Sequence, residues 1–299
     1  MHVRDAAAAF LRHCQSVRKL SPHTTRAYEL DLARFCSFVG RRAVIAQCDR
    51  TVIHEYVRHL FEVRSLKEAS VKRHLATLRS FFRWLEEDGN LEDDPFRGAR
   101  IRIRMPKRLP RVIARADLRR LLRHDAPQSF SDLTGYVATE LLFATGMRVS
   151  ELASLVDAAV DLEDGTITIV GKGNRQRRVF VPDDLTALLR EYRRLRDRCA
   201  VTAETFLVNS RGAAASPQLI RRLVRIHGER CAVRERVTPH MFRHSVATYL
   251  LEEGVDIRYV QRLLGHRSIS TTEIYTHVAD AALKMRITER HPRRTIVGA

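Results

Sequence analysis

The last third of the chain contains a tyrosine that is preceded by a series of basic side chains. Tyr275 lies in Thr-Thr-Glu-Ile-Tyr-Thr-His-Val-Ala. Two arginines, a lysine and two histidines come before it, each in a short motif: Arg148, Lys172, His240, Arg243 and His266. A hydroxyl nucleophile with cations and imidazoles is suited to attack a phosphodiester, because the cations stabilise the negative charge that grows on the phosphoryl oxygens. The set therefore predicts phosphoryl transfer to tyrosine.

Each of these residues also has an ordinary structural explanation. Arg148 could give a phosphate two parallel hydrogen bonds, with Glu151, three residues on, as the partner that fixes its guanidinium; the alternative is a merely structural Arg–Glu pair at a helix start. Lys172, in Gly-Lys-Gly-Asn, could be an exposed lysine on a turn, and a helical tyrosine such as Tyr275 is most often a core aromatic. The functional interpretation rests on the occurrence of all six residues together, in one order.

His240 and Arg243 are three residues apart in a helix predicted to begin at Thr238-Pro239. This spacing places both on one face, near helix N-terminal N–H groups that also favour phosphate. His244 raises the alternative of a two-histidine metal site with His240. The motif lacks the glutamate of His-Glu-x-x-His and a convincing third ligand, so we expect neither a metal nor a cofactor.

The composition favours a polyanionic partner. The chain has 299 residues, 53 basic against 35 acidic side chains, and a net charge of +18. Nucleic acid is the commonest such partner, and an RNA-binding ribosomal-type protein or a merely basic surface are the alternatives. Five scattered cysteines without Cys-x-x-Cys predict reduced thiols and no zinc site. Without a signal peptide or a membrane-spanning apolar stretch, we expect a cytoplasmic, nucleoid-associated protein with no membrane partner.

Residues 1–96 are predicted to form an N-terminal domain of short amphipathic helices. Ser21-Pro22 marks the start of a helix that ends at Gly40, and Ser70 begins another. Basic residues on the second helix and beyond it are candidate DNA contacts, with a merely solvated face as the alternative. These candidates are Lys72, Arg73, Arg79, Arg102, Arg104, Lys107, Arg108 and Arg175.

Residues 97–111 read RGARIRIRMPKRLPR, with two prolines and no acidic side chain. Proline and charge repulsion predict an extended basic linker. Such a linker could cross a DNA backbone between two domains, or it could be solvated and touch nothing.

Residues 112–299 are predicted to form a second, mostly helical domain with one hairpin. An apolar helix ends at Gly146, and Ser150-Glu151 can begin the next one. Two strand-like segments flank a turn that carries Lys172. The predicted elements are the helix Gly135–Thr145, the strands Thr166–Val170 and Val179–Val181 with the turn Gly171–Asn174, and helices from Asp183, over Ser216–His227 and over Pro239–Glu253.

The motifs together resemble the tyrosine recombinase (phage integrase-like) family, most closely its bacterial Xer branch. The segments that carry the resemblance are TGMRVSEL, GKGNRQR, TPHMFRHSVATYLLEEG and LLGHRSISTTEIYTHV. LSPHTTRAYELDLARF resembles the opening of the family's core-binding domain, and PKRLPRVIARADLRRLL the entry to its catalytic domain. The tail Ala281–Ala299 departs from a clean Xer tail. The resemblance implies a mainly α fold with a small β-sheet, in which a SAM-like helical core-binding domain and a mixed α/β catalytic domain form a clamp around DNA.

The resemblance also implies roles for the six residues of the motifs. The matching positions are Arg148, Lys172, His240, Arg243, His266 and Tyr275. The tyrosine would attack a phosphodiester and form a 3′-phosphotyrosyl link, without metal or ATP. The two arginines and the second histidine would hold the non-bridging oxygens, and the lysine is the candidate acid for the departing 5′ oxygen. The first histidine would orient or deprotonate the tyrosine.

The expected partner is a double-stranded DNA recombination site, bound by a homo- or hetero-tetramer. A second tyrosine recombinase and a DNA translocase are further possible partners, and Ala281–Ile287 is the candidate segment for exchange between protomers. The resemblance favours Xer-like resolution of chromosome or plasmid dimers. Three alternatives stay open: the integrase or resolvase of a mobile element, a type IB topoisomerase without site choice, and a catalytically silent DNA-binding regulator.

Overall fold

The chain divides into two compact units, Met1–Arg108 and Leu109–Ala299. The computed structural model describes residues 1–98, 101–105, 111–123, 127–171 and 175–265. The division falls within the stretch 97–111 that the sequence predicts as a linker.

The first unit is a helical domain with an aromatic core. Edge-to-face ring contacts, with centroids 5.1 to 5.9 Å apart, connect residues from the four helices of its described part. The rings are fully buried: Phe10, Phe35, Tyr56, Phe81 and Phe82. The helices are α1 (Val3–Ser16), α2 (Pro22–Val39), α3 (Arg50–Glu62) and α4 (Glu68–Glu87), with a 3-10 turn at Ile45–Gln47.

The predicted start and end of α2 are confirmed. α2 begins at Pro22 because the Ser21 hydroxyl accepts the backbone N–H of Thr24 at 3.2 Å, which satisfies one of the free donors at the helix start. It ends before Gly40, which has a φ of 94°. α4 begins two residues before the predicted Ser70.

The first part of the predicted linker packs against the first unit. Ile101 and Ile103 lie against its hydrophobic core, whereas Arg102 and Arg104 are exposed. Alternate side chains of an extended segment point to opposite sides, so the Ile-Arg-Ile-Arg sequence separates an apolar side from a charged side. Residues 101–105 lie in neither a helix nor a strand, and the contacts of the two isoleucines show that the segment is not solvated all round.

The second unit is built around α6, which is buried along most of its length. It packs against α8, α9 and α10, and Gly135 lets the α9 backbone approach closely: a Cβ at this glycine would lie 3.2 Å from the carbonyl oxygen of Leu223. The helices are α5 (Arg115–Leu121), α6 (Phe130–Thr145), α7 (Val149–Ala153), α8 (Asp183–Arg196), α9 (Pro217–Arg230), α10 (Pro239–Glu252) and α11 (Ile257–Leu264), with a 3-10 turn at Asp157–Ala159.

The start of α6 differs from the prediction. The helix begins at Phe130, five residues before the predicted Gly135. The Ser129 hydroxyl accepts the backbone N–H of Asp132 at 3.2 Å and caps the helix there. The predicted end at Gly146 is confirmed.

A three-stranded antiparallel sheet, in the order β1-β2-β3, packs on this helical core. Its strands are β1 (Val160–Asp161), β2 (Thr166–Val170) and β3 (Gln176–Phe180). The predicted bounds of the last strand, Val179–Val181, were wrong, because it begins at Gln176, which pairs with Val170. β3 is an edge strand, and an edge tolerates charged side chains that hide it from a hydrophobic pattern. Part of the predicted turn Gly171–Asn174 lies outside the described residues.

Among the described residues, no helix is long and apolar enough to span a membrane.

Candidate active site

Arg148 lies where α6 gives way to α7. Gly146, with a φ of 59°, ends α6 in the left-handed conformation, and Arg148 is the residue just before α7. Its backbone N–H donates to Glu151 Oε2 at 2.9 Å, and its Nη1 donates to Glu151 Oε1 at 2.8 Å. The predicted pairing of Arg148 with Glu151 is therefore confirmed. The pair fixes the direction of the guanidinium on a side chain that is 38% exposed.

Glu151 is a buried carboxylate shared by two arginines. Arg177 of β3 donates its Nη2 at 2.7 Å to Glu151 Oε2, the oxygen that also accepts the backbone N–H of Arg148. Burial alone would raise the pKa of Glu151, but the hydrogen bonds and charges of Arg177 and Arg148 outweigh burial and lower it. Glu151 therefore stays ionised at neutral pH.

Arg243 of α10 is buried at the C-terminal ends of two helices. Its Nη1 donates to the carbonyl oxygen of Gly146 at 2.6 Å, and its Nη2 donates to that of Leu264 at 2.7 Å. Gly146 follows α6 and Leu264 ends α11, so both carbonyls lie at the negative ends of helix dipoles, which favour a cation. These contacts fix the plane of the Arg243 guanidinium. One of the two carbonyls, that of Gly146, is two residues before Arg148 along the chain.

The ends of α6 and α11 are in close contact. Gly265, with a φ of 67°, follows α11, and a Cβ built on Gly146 would lie 2.5 Å from Leu264 Cδ2. Gly146 thus supplies both the left-handed backbone and the space that the α11 terminus occupies. The close approach makes the position of α11 dependent on the end of α6.

His240 lies in the first turn of α10, on the solvent-exposed side. Partial desolvation and then the positive charges of Arg243, Arg221 and Arg148 lower its pKa. A neutral imidazole at neutral pH can accept a proton. Arg221 of α9 was not singled out from the sequence, because only the packing of α9 brings its charge near His240.

His244, the other half of the metal pair considered above, follows one turn later in α10. Within the part of the chain that the structure describes, no three His, Cys, Asp or Glu side chains are placed to hold a metal ion.

Lys172, His266 and Tyr275 lie outside the described residues. Gly171 and Gly265, the residues just before Lys172 and His266, are described, and both lie beside the Arg177 side chain. A Cβ on Gly171 would lie 3.6 Å from Glu151 Oε1, and a Cβ on Gly265 would lie 3.2 Å from Arg177 Nη1. The chain therefore enters both predicted catalytic segments beside the same group of side chains.

The candidate DNA contacts fall into three groups. Arg73 forms an ion pair with the buried Asp31, and Arg79 lies over the ring of Phe96 and donates to the carbonyl of Ile101. Arg73 is nevertheless exposed, and four further candidates are exposed as well: Lys72, Arg102, Arg104 and Arg175. Two lie outside the described residues: Lys107 and Arg108.

A basic cleft of about 620 Å³ opens between α1 and α4 in the first unit. Arg18, Arg79 and Arg83 line it beside Trp84, and Arg18 Nη1 donates to Ser80 Oγ at 3.0 Å. The spacing of four between Arg79 and Arg83 was a signal in the sequence. Arg18 gave no such signal, because it joins the cleft from the end of another helix.

Comparison with known proteins extends this picture over nearly the whole chain. The profile described as "Phage integrase family" matches residues 111–282, and "Phage integrase, N-terminal SAM-like domain" matches residues 7–89. A tyrosine recombinase of Agathobacter rectalis is 33% identical over 299 residues, covering 96% of each chain. The tyrosine recombinase XerD of Listeria innocua is 33% identical over 300 residues, covering 97% of this chain and 100% of its own.

Solved structures share the fold. XerH site-specific recombinase bound to a palindromic difH substrate superposes with a TM-score of 0.72 and 22% identity, covering 95% of this chain and 85% of that chain. The Tn1549 transposon integrase in complex with transposon right end DNA gives a TM-score of 0.77 and 18% identity, covering 96% and 100%. Together, the motifs, the two matched domains and the full-length relatives identify the chain as a member of the phage integrase family: it is a Xer-like tyrosine recombinase, a site-specific DNA recombinase.

Proposed function

We propose that this recombinase cuts and rejoins a double-stranded DNA site through Tyr275, and that its role is the resolution of chromosome or plasmid dimers. The observation that carries the chemistry is the arginine cluster at the ends of α6 and α11. Arg148 and Arg177 share the Glu151 carboxylate there, and Arg243 donates to the carbonyl oxygens of Gly146 and Leu264. Three guanidiniums and one carboxylate leave a net positive site, which suits an anionic phosphate.

Arg148 and Arg243 would bind the non-bridging oxygens of the scissile phosphate. Each is already oriented by protein contacts, Arg148 by Glu151 and Arg243 by the two helix-terminal carbonyls. Donors held in place before the reaction cost little reorganisation when charge develops in the transition state. The loss of either arginine should raise the barrier by about 3 kcal/mol, by analogy with the loss of one oxyanion donor.

The remaining roles concern the protons. Tyr275 Oη would form a bond to phosphorus as the bond from phosphorus to the 5′ oxygen breaks, with Lys172 as the proton donor to that oxygen. His240 would accept the tyrosine proton, which its lowered pKa supports, and His266 would add a donor to the phosphate oxygens. Because the phosphotyrosyl bond retains the phosphodiester's energy, the 5′ hydroxyl of a partner strand can reverse the step without ATP.

Recombination between two duplexes requires four active sites, so we propose a homo- or hetero-tetramer on DNA, with exchange of Ala281–Ile287 between protomers. A second recombinase and a DNA translocase would be partners of the dimer-resolving role. The cytoplasm, at the nucleoid, is the corresponding location. In the first unit, the basic cleft of Arg18, Arg79 and Arg83 would contact the phosphate backbone of DNA. The exposed Arg102 and Arg104 would do the same.

Dimer resolution is favoured by full-length relatives named XerC and XerD, at 33 to 34% identity. The alternative is a mobile-element integrase or resolvase, which the departure of the tail Ala281–Ala299 from the Xer pattern favours. Sequencing the DNA ends attached to trapped protein in the host distinguishes the two. A single site that persists in a strain cured of mobile elements supports dimer resolution, whereas adducts confined to the ends of an element contradict it.

A further inference from the structure

Arg177 holds together two parts of the candidate active site that are far apart in sequence. Its Nη2 donates to Glu151 Oε2 at 2.7 Å, and its Nε donates to the carbonyl oxygen of Leu263 at 2.8 Å. Glu151 is 26 residues before it and Leu263 is 86 residues after it. One planar guanidinium therefore connects the carboxylate that orients Arg148 to the C-terminal turn of α11.

The position of Arg177 in β3 explains why it can make both contacts. Gln176 and Arg178 are exposed, whereas the Arg177 side chain is only 12% exposed. The alternation of an edge strand directs the middle residue inward, and the strand's pairing with β2 fixes its backbone. Gly265 makes room for the guanidinium, because a Cβ there would approach Nη1 at 3.2 Å.

We propose that Arg177 is a positioning residue for the cleavage reaction. It acts on Arg148 through Glu151 and on the chain that leads to His266 through Leu263. The β2–β3 hairpin that carries Lys172 is tied to the same guanidinium, since Arg177 is part of β3. Arg177 thus sets the relative positions of three elements that each supply a proposed catalytic group, while its own donors are directed at protein atoms. This inference rests on the proposed function of those groups.

The test compares Arg177 with its neighbour in the same strand. Arg178 forms an ion pair with Asp164 at 3.2 Å, and both side chains are more than half exposed. Arg177→Ala should lower the single-turnover cleavage rate at saturating DNA about 100-fold, the size of effect expected for a misplaced catalytic group. Its DNA affinity should stay within about twofold of wild type, and Arg178→Ala should leave the cleavage rate within about twofold, as for an exposed pair.

Arg177→Lys supplies a second variant that retains the charge. A lysine ammonium can bind the Glu151 carboxylate, but it lacks the planar guanidinium that donates to Glu151 and to Leu263 at the same time. We therefore expect a cleavage rate between those of wild type and Arg177→Ala. Added methylguanidinium should partly restore cleavage by Arg177→Ala, a response that a general loss of folding would not give. Equal cleavage by Arg177→Lys, Arg177→Ala and wild type would overturn the proposal.

A double-mutant cycle separates this inference from the proposed function. Arg177→Ala combined with Glu151→Gln should cleave more slowly than either single variant, but by less than the product of the two losses, because the substitutions share the contact between Arg177 and Glu151. Multiplicative losses would overturn action through Glu151. If wild type forms no Tyr275-dependent adduct, the proposed function fails. The free energies of unfolding of the DNA-free single and double variants in urea then test the contact between Arg177 and Glu151 on its own. Additive unfolding effects there would overturn it.

Discussion

Replacing Glu151 by glutamine tests the electrostatic basis of the active site. The substitution keeps the shape of the side chain but removes the negative charge between Arg148 and Arg177, so at least one guanidinium faces an amide N–H₂. Loss of one partner from a buried ion pair costs about 3–5 kcal/mol. Arg148 is 38% exposed, so solvent screens its share, whereas Arg177 is 12% exposed. We therefore expect a loss of about 3 kcal/mol in the free energy of unfolding.

Urea unfolding of the DNA-free protein at pH 7 measures this loss. Asp164→Asn is the matched control, because it removes the carboxylate of an exposed pair with Arg178, and it should change stability by less than about 0.5 kcal/mol. The pKa of Glu151 is lowered, so its contribution is present above the unfolded pKa near 4.3 and disappears as the pH falls through the folded pKa. The difference between wild type and Glu151→Gln should shrink below about pH 4. A loss at pH 7 below about 1 kcal/mol, or an equal loss in Asp164→Asn, would refute this reasoning.

Three further substitutions have defined outcomes. Gly146→Ala should destabilise the protein and slow cleavage more than Gly89→Ala does. Both glycines lie at positive φ, but only a Cβ on Gly146 would meet Leu264, the last residue of α11. Equal effects of the two substitutions would contradict the packing argument. Burial raises the pKa of Glu140 to about 7, so wild type loses stability as the pH rises from about 4.5 to 7. In thermal or urea unfolding, the stability of Glu140→Gln relative to wild type should therefore rise by up to about 3 kcal/mol across that range. A difference that does not change with pH would contradict this prediction. Arg18→Gln and Arg83→Gln should each lower the slope of log affinity against log salt by about 1 in DNA-binding titrations, and an unchanged slope would exclude the cleft from DNA contact.

The sequence predicted those helix boundaries that are determined by residues next to the boundary. Ser21-Pro22 begins α2 and Gly40 follows its end, because a cap residue and a glycine at positive φ act on the adjacent helix alone. The pairing of Arg148 with Glu151 was predictable for the same reason, since the two are three residues apart.

Contacts that depend on tertiary packing were not predictable from the sequence. Arg177 looked like one of several basic residues after the Lys172 turn, and its inward direction follows from the pairing of β3 with β2. Arg73, predicted as a candidate DNA contact, is exposed, and the fold places the buried Asp31, 42 residues away, next to it. A buried carboxylate needs a compensating partner, and no spacing rule within a helix identifies a partner at that separation.

The most direct test of the recombinase mechanism is a denaturing trap of covalent protein–DNA adducts. Wild type is compared with Tyr275→Phe and with Tyr259→Phe, since Tyr259 is an exposed tyrosine of α11 that the mechanism does not use. We predict 3′-linked adducts for wild type and Tyr259→Phe, and none for Tyr275→Phe despite unchanged DNA binding. An adduct with Tyr275→Phe, or its loss with Tyr259→Phe alone, would contradict Tyr275 as the nucleophile.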